Sequence, residues 1–340
     1  MSSFTREEWE RRGGIQSIEL EQPDDLFFIG ASFEDRGRSS VELLAPSYRS
    51  RAARIYVNRE FLNNSASDRV KQNLAVIDAA LRPRCIEVEP ILGSWLSARD
   101  QFLALRDALA PSSLKLAEVQ RITIDVTTFN RESLLSAMAL LRQYYPQAYL
   151  RVLYASPEDH GEWLTRGFRR VRSVVGFPGI QEATRPTAVI TLSGFEAERA
   201  SKVIDEYEPK LVFFGVGDPP TKDKFLPRNL EEQKIVLGRQ DSVRFTFPAG
   251  EIAGTAETLE TIIHDAAGSY NLILSPMSTK LSTLGAFLAT ERHPELQIAY
   301  CVPGEYNVED YSVGVGHVFD EALPPIGFRP NTGRQAGSQS

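Results

Sequence analysis

An internal repeat constrains the fold of this chain more than any other feature of its sequence. Residues 31–41 (ASFEDRGRSSV) align without gaps on residues 193–203 (SGFEAERASKV) at an offset of 162. The two segments share a phenylalanine, a glutamate, a serine and a valine, and each directly follows an apolar run. An offset of this size indicates that a unit as large as a domain is duplicated.

Two further matches occur in the same order along the chain. Residues 127–134 align with residues 277–284 at an offset of 150, and residues 154–157 (YASP) align with residues 300–303 (YCVP) at an offset of 146. The offset therefore changes by only 16 over the three matches. Chance accounts for any one match but not for the ordered set, so two similar halves are predicted.

The length and the two ends of the chain complete this organisation. At 340 residues the chain is as long as about two domains. A capping-box sequence near its beginning is typical of a short helix, and its last ten residues contain no apolar side chain larger than alanine. The predicted organisation is an appendage, two α/β halves and a disordered tail, at residues 1–23, 24–180, 187–327 and 328–340.

Short apolar runs alternate with amphipathic stretches throughout both halves. In the first half, residues 26–29 and 122–126 are typical of strands, and residues 98–109 and 131–143 are typical of helices. Strands that are almost entirely apolar and alternate with helices indicate a parallel sheet covered by helices. The predicted fold class is α/β, with two similar Rossmann-like parallel-sheet halves from an internal duplication and a short N-terminal helical appendage.

Composition and charge exclude several classes of protein. The chain carries 38 Lys and Arg against 45 Asp and Glu, and its net charge of −7 argues against non-specific binding of nucleic acid. The two cysteines and four histidines show neither a disulfide framework nor a metal-binding spacing, so no metal and no cofactor are expected. No apolar run approaches the roughly 18 residues of a membrane span, and no signal peptide is recognisable, so a cytoplasmic location is expected.

The first repeated turn offers one candidate ligand-binding surface. In an open parallel sheet, ligands bind beyond the carboxyl ends of the strands. Ser32 and Phe33 follow the first strand of one half, and Ser193, Gly194 and Phe195 follow the matching strand of the other. Small residues there allow backbone N–H groups to approach a ligand. The G-x-G-x-x-G fingerprint of NAD-binding proteins is absent, and a plain tight turn is the alternative interpretation.

The second repeated turn is a stronger candidate. Ser278 and Thr279 precede Lys280, which falls in the first turn of a predicted helix. Hydroxyl groups, helix N–H groups and an ammonium together suit a phosphate or a carboxylate. A lysine at the positive end of a helix is unfavourable by itself, and such a conflict often marks a site. The alternative is a solvated lysine beside ordinary helix caps.

The matching turn of the first half keeps the hydroxyl groups but not the lysine. It contains Thr127 and Thr128, and the gap-free alignment places Asn130 opposite Lys280. Because a neutral amide binds an anion less strongly than an ammonium does, two unequal sites are expected.

These turns resemble those of the CARF domain, the CRISPR-associated Rossmann fold. The resemblance covers residues 24–325 and rests on the Ser278-Thr279-Lys280 turn, on the turn after the first strand of each half, and on the aromatic Tyr300 at the end of a later strand. The sequence departs from the family at Pro276-Met277, where glycines are usual. CARF domains bind cyclic or linear oligoadenylate messengers in a cleft between two such domains.

The resemblance implies a ligand that lies against both turns of each half. The implied ligand-binding residues are Ser32, Phe33, Thr127, Thr128, Asn130, Ser193, Gly194, Phe195, Ser278, Thr279 and Lys280. The implied function is that of a sensor of a nucleotide second messenger in prokaryotic antiviral defence. Its partners would be that nucleotide-type ligand and, for the output, an effector protein or a second copy of the chain in a homodimer.

The sequence leaves two other functions open. One is an enzyme on the same scaffold that cleaves a nucleotide or a messenger without a metal. Its catalytic residues cannot be assigned, although the carboxylates of Glu34 and Glu196 recur in both halves and are candidates for acid–base work. The other is a structural subunit of a defence complex. His160 follows a strand end and is interpreted as a loop histidine, with a position facing the cleft as the alternative. The basic run at residues 166–172 is interpreted as a solvated face.

Overall fold

The computed structural model describes Ile18 and residues 22–116, 118–218 and 223–323. The expected N-terminal helix and the expected disordered tail lie outside the described residues. The chain forms two six-stranded, mostly parallel sheets with helices around them. The predicted fold class, α/β with two Rossmann-like halves, is therefore confirmed.

The first half builds five parallel strands connected by helices. Its strands are β1 (Asp24–Ala31), β2 (Ser50–Asn58), β3 (Cys85–Gly93), β4 (Arg121–Asp125) and β5 (Tyr149–Ala155), followed by β6 (Asp159–His160) and β7 (Thr165–Ser173). Its helices are α1 (Ser39–Glu42), α2 (Ser67–Leu81), α3 (Ala98–Leu109), α4 (Pro111–Leu114) and α5 (Arg131–Tyr144), with 3-10 turns at Asp35–Arg38 and Arg59–Asn63. The strand order β3-β2-β1-β4-β5 places the switch point, where doubly wound sheets bind ligands, between β1 and β4.

The second half repeats this arrangement. Its strands are β8 (Thr187–Leu192), β9 (Leu211–Gly217), β10 (Ser242–Phe247), β11 (Asn271–Pro276) and β12 (Gln297–Tyr306), followed by β13 (Ser312–Val313) and β14 (Val318–Leu323). Its helices are α6 (Ala197–Tyr207), α7 (Phe225–Glu232), α8 (Lys234–Leu237), α9 (Ile252–Ala266) and α10 (Lys280–Arg292). The order β10-β9-β8-β11-β12 is the same as in the first half, with the switch point between β8 and β11.

The two halves exchange their last strands. Strand β7, from the first half, lies antiparallel to β12 of the second sheet, with Arg172 opposite Tyr300. Strand β14, from the second half, lies antiparallel to β5 of the first sheet, with Phe319 opposite Tyr154. The short strands β6 and β13 pair with each other between the two sheets. The predicted limits at 24–180 and 187–327 did not anticipate this exchange, because they assign every strand to the half that contains it in the sequence.

The halves also share a hydrophobic core. The largest buried cluster contains strand residues of the first sheet together with Leu284 and Phe287 of α10. Helices α5 and α10 pack against each other, and Arg142 Nε lies 2.9 Å from Glu291 Oε1 across that contact. Within the described residues, no helix is both long enough and apolar enough to cross a membrane.

One ion pair fastens the exchanged strand β14, and its removal is expected to destabilise the protein. Arg151 Nε on β5 donates to Asp320 Oδ1 on β14 at 2.7 Å, and the two side chains are only 10% and 25% exposed. Asp320→Ala leaves a largely buried guanidinium without its carboxylate, so the free energy of unfolding should fall by about 1–3 kcal/mol.

Unfolding in guanidinium chloride measures this loss of stability directly. The matched control is Glu309→Ala, which removes an exposed carboxylate lying 3.5 Å from Arg69 and should change stability by no more than about 0.5 kcal/mol. Equal effects of the two substitutions would show that the Arg151 pair does not fasten the strand.

Candidate functional site

The carboxyl ends of the two sheets face each other across a cleft that contains two cavities. The larger cavity has a volume of about 160 Å³ and lies against the turns that follow β8 and β11 of the second half. The smaller has a volume of about 20 Å³ and lies against the equivalent turns after β1 and β4 of the first half. Both cavities therefore occupy the switch points of their sheets, where a ligand is expected.

Two buried ion pairs, one in each half, form the floor of the cleft. Arg36 Nη2 lies 2.8 Å from Glu34 Oε2, and Arg199 Nη1 lies 2.7 Å from Glu196 Oε2. Each arginine also donates to a backbone carbonyl of the strand that pairs with the exchanged strand, Arg36 to Ala155 on β5 and Arg199 to Cys301 on β12. The recurring Phe-Glu segment of the sequence thus has the same structural role in both halves.

Each of the two glutamates accepts a hydrogen bond from the other half. Ser312 Oγ, beyond β12, donates to Glu34 Oε2 at 2.6 Å, and Thr165 Oγ1 on β7 donates to Glu196 Oε1. Burial, the largest single effect, would raise the pKa of each carboxyl group. The adjacent guanidinium, the hydroxyl hydrogen bond and the nearby Lys280 together outweigh it, so both pKa values lie below the ordinary value. Both carboxylates are therefore ionised at neutral pH and are poor candidates for a general acid.

Equivalent caps begin the two helices that point into the cleft. The Asn130 side chain accepts from the Ser133 backbone N–H at 2.8 Å at the start of α5, and the Thr279 hydroxyl accepts from Ser282 N–H at 3.0 Å at the start of α10. Because both residues are the N-cap of equivalent helices, Asn130 corresponds to Thr279, at an offset of 149. The expectation that Asn130 lies opposite Lys280 is wrong by one residue, because sequence identity did not fix the register of the turn.

Arg131 is the residue that corresponds to Lys280, and both are the first residue of their helix. Arg131 Nε donates to the Ser278 backbone carbonyl at 3.0 Å, which links the turn of one half to the turn of the other. Its Nη1 lies 3.9 Å from Glu196 Oε2. Each half therefore contributes one cation at a helix N-terminus.

Lys280 differs from Arg131 because its ammonium has no fixed partner. Within the described part of the chain, no hydrogen bond and no ion pair of 4 Å or less reaches its Nζ atom. Burial lowers the pKa of this amine to about 7, and the nearby Arg131 acts in the same direction. The charges of Glu34 and Glu196 act in the opposite direction. Lys280 is thus an amine without a partner on the wall of the larger cavity, about half protonated at pH 7, and a bound anion would favour its charged form.

Three aromatic rings form one side of the larger cavity. The rings of His160, Phe195 and Phe225 lie 5.2–5.5 Å apart between centroids, and the Arg228 guanidinium lies 4.5 Å from the Phe195 ring. Burial, followed by the charge of Arg36, lowers the pKa of His160 to about 4, so the imidazole is neutral at pH 7. The sequence favoured a plain loop residue and left a position facing the cleft as the alternative; in the structure His160 lines the larger cavity.

Two polar atoms beside these rings lack partners. His160 Nδ1 and Asn229 Oδ1 are buried and have no hydrogen-bond partner among the described residues. Asn229 is 8% exposed, and its Nδ2 donates to Ser193 Oγ at 3.3 Å, which directs the free carbonyl away from that serine. An unpaired buried acceptor is costly, so a ligand or water that donates here would stabilise the site.

The predicted ligand-binding residues fall into three groups. Five line the larger cavity: Gly194, Phe195, Ser278, Thr279 and Lys280. Five line the smaller one: Ser32, Phe33, Thr128, Asn130 and again Lys280, which lies between the two cavities. Thr127 and Ser193 line neither, because both are buried beneath the turns, where Thr127 Oγ1 accepts from Ala155 N–H and Ser193 N–H donates to Gly215.

Among the described residues, no three His, Cys, Asp or Glu side chains are placed to hold a metal ion. No protein-family model matches the sequence, and no curated protein matches it. One solved structure that resembles the chain is an N-terminal ketoreductase from a macrolactin assembly line. It is 11% identical, with 83% of this chain and 70% of that chain covered and a TM-score of 0.23. A likeness of that degree carries no argument about the site.

Proposed function

We propose that this protein is a tandem CARF-like sensor that binds a cyclic or linear nucleotide messenger in the cleft between its halves, in prokaryotic antiviral defence. The observation that carries the proposal is the presence of two basic side chains in one cleft. Arg131 and Lys280 begin equivalent helices, and both line the larger cavity. The output would pass to an effector protein or to a second copy of the chain.

The charge of the cleft supports an anionic ligand. Four cationic side chains, Arg36, Arg131, Arg199 and Lys280, surround two carboxylates, Glu34 and Glu196. With Lys280 protonated, the cluster carries a net charge of +2 (four minus two), although the whole chain carries −7. Helix N-termini add partial positive charge at the same place. A phosphate group is the ligand feature that this arrangement fits best.

The aromatic side of the larger cavity supports a base next to that phosphate. Rings of bases stack on aromatic side chains, and an exocyclic amine could donate to the free Asn229 Oδ1. The volume of about 160 Å³ is close to that of cavities that accept a single benzene ring, roughly 150 Å³. In this proposal the cavity takes the ring of one base, and the sugar, the phosphate and the remaining units of the messenger lie in the open cleft.

Calorimetry with a panel of cyclic and linear oligoadenylates tests this function. At least one of them should bind with a dissociation constant in the micromolar range or tighter. Phe195→Ala should weaken that binding by about 1–3 kcal/mol, because a base loses its stacking partner. The matched control is Phe168→Ala, which removes a 42%-exposed ring on β7 outside both cavities. Flat heats across the whole panel would contradict the proposal.

A second function, cleavage of the messenger, is favoured by the pKa of Lys280. An amine with a pKa of about 7 exchanges protons efficiently at neutral pH, and its position against the cavity brings it to a bound nucleotide. Incubation of a bound oligoadenylate without added metal, followed by mass spectrometry, separates the two functions. Products formed by the wild type, and lost in Lys280→Met at a ligand concentration that saturates the variant, would establish an enzyme that uses Lys280. Intact ligand after long incubation would leave a sensor.

A further inference from the structure

The two cavities are built on the same aromatic framework. Around the larger cavity the framework is His160, Phe195 and Phe225. Around the smaller cavity Phe33 and Phe61 lie 4.9 Å apart, and Tyr306 lies 5.4 Å from Phe61. Phe33 matches Phe195 in the sequence repeat, and Tyr306 matches His160 at the offset of 146 found for the last repeated segment. The large difference in volume therefore does not come from these rings.

Three small residues of the second half have larger counterparts in the first. Gly194 corresponds to Ser32 in the repeat, and Gly217, the last residue of β9, corresponds to Asn58, the last residue of β2. The third pair lies two residues beyond the next strand, where the second half has Ala249 after β10 and the first half has Trp95 after β3. A Cβ on Gly217 would lie 2.7 Å from Ala249 Cβ, so these two positions adjoin along one wall.

Trp95 fills the space that Ala249 leaves open. Its ring centroid lies 5.2 Å from Tyr306 and 6.4 Å from Phe61, both of which line the smaller cavity, and the residue is only 8% exposed. Its backbone is held on both sides. The N–H donates to Glu60 Oε2 at 3.3 Å, and the carbonyl accepts from Arg172 Nη2 at 3.2 Å. The backbone of Trp95 is thus held by hydrogen bonds, and its indole is held by packing, because the indole N–H has no hydrogen-bond partner among the described residues.

We infer that Trp95 is an internal plug of the first-half site, so that each chain binds one aromatic anion, in the second-half cavity alone. The first half then serves that one site by lending it Arg36 and Arg131, which line the larger cavity. The inference rests on the proposed function only in taking the ligand to be an anion with a planar ring, as a nucleotide is.

Two substitutions, Trp95→Ala and Ala249→Trp, test the inference. The probes are AMP and the simpler phenylphosphonate. Native mass spectrometry gives the number of molecules bound per chain, and soaked crystals show which cavity holds them. The wild type should bind one molecule, in the second-half cavity. Ala249→Trp should reduce binding at least about a hundredfold, and Trp95→Ala should raise the number to two. The control Trp163→Ala removes a tryptophan outside both cavities and should leave the number at one.

The outcomes separate this inference from the proposed function. If phenylphosphonate follows the expected pattern but neither AMP nor any oligoadenylate binds, the nucleotide proposal fails and the plug stands. A probe in the first-half cavity of the wild type overturns the plug, as does unchanged binding to Ala249→Trp or no binding of either probe to the wild type. If Trp95→Ala does not fold, the cavity occupied in the wild type and the binding to Ala249→Trp still test the inference.

Discussion

Glu196→Ala is expected to lower the free energy of unfolding by about 3–5 kcal/mol, because it leaves the buried Arg199 guanidinium without its counter-ion. The side chains of Glu196 and Arg199 are only 6% and 3% exposed, and the carboxylate also accepts from Thr165 on the exchanged strand β7. Urea-induced unfolding of the wild type and the variant measures the difference.

The matched control lies two residues away. Glu198 is an exposed carboxylate on the same helix, and Glu198→Ala should change stability by no more than about 0.5 kcal/mol. Because the pKa of Glu196 is lower in the folded protein than the ordinary 4.5, its stabilisation is complete above about pH 4.5. It is lost as the pH falls through the folded value, so the two variants should become more alike in acid. Equal losses at neutral pH would refute a structural role for the pair.

Lys280→Met is expected to weaken binding of an oligoadenylate by about ten- to a hundredfold and to stabilise the unliganded protein. The loss of affinity follows from removal of a charge-assisted contact of about 1.5–3 kcal/mol. The gain in stability follows from the amine's pKa, about 7 in the folded protein against 10.5 ordinarily, since burial disfavours the ammonium. Contact with solvent in the cavity reduces the gain at pH 7 to about 2 kcal/mol.

The pH dependence gives a second measurement of the same group. Folding disfavours the charged form of Lys280, so its destabilising effect is complete below about pH 7 and fades as the pH rises towards 10.5. Binding needs the charged form, so wild-type affinity should fall as the pH rises through about 7. Lys280→Arg, which stays charged, is the control and should lose that slope. An unchanged affinity in Lys280→Met would remove Lys280 from the site.

The pattern of apolar residues predicted most of both sheets, because each buried strand and each amphipathic helix carries its own local signal. The helix predicted at residues 98–109 is α3 without change, and the one at 131–143 ends one residue before α5 does. The repeat also identified equivalent positions correctly where identical residues have identical roles, as with Glu34 and Glu196.

The rest of the site depends on features that a gap-free alignment does not show. Arg36 lies two residues after its glutamate and Arg199 lies three, so their equivalence is out of register in the sequence. Trp95 and Ala249 occupy equivalent positions in the two halves but have very different side chains, so sequence identity does not relate them. His160 gave no motif, because its neutral, buried state comes from residues distant in the chain.

The strand exchange also determines how the two halves depend on each other during folding. The first sheet receives β14 only after all of the second half has been synthesised, because Val318 follows the end of β5 by 163 residues. The second sheet in turn needs β7, so neither half is a closed folding unit. Contacts so distant in sequence slow folding, and we expect the shared strands to couple the unfolding of the two sheets. A ligand that binds the cleft of the folded state alone therefore stabilises both halves together, wherever it sits.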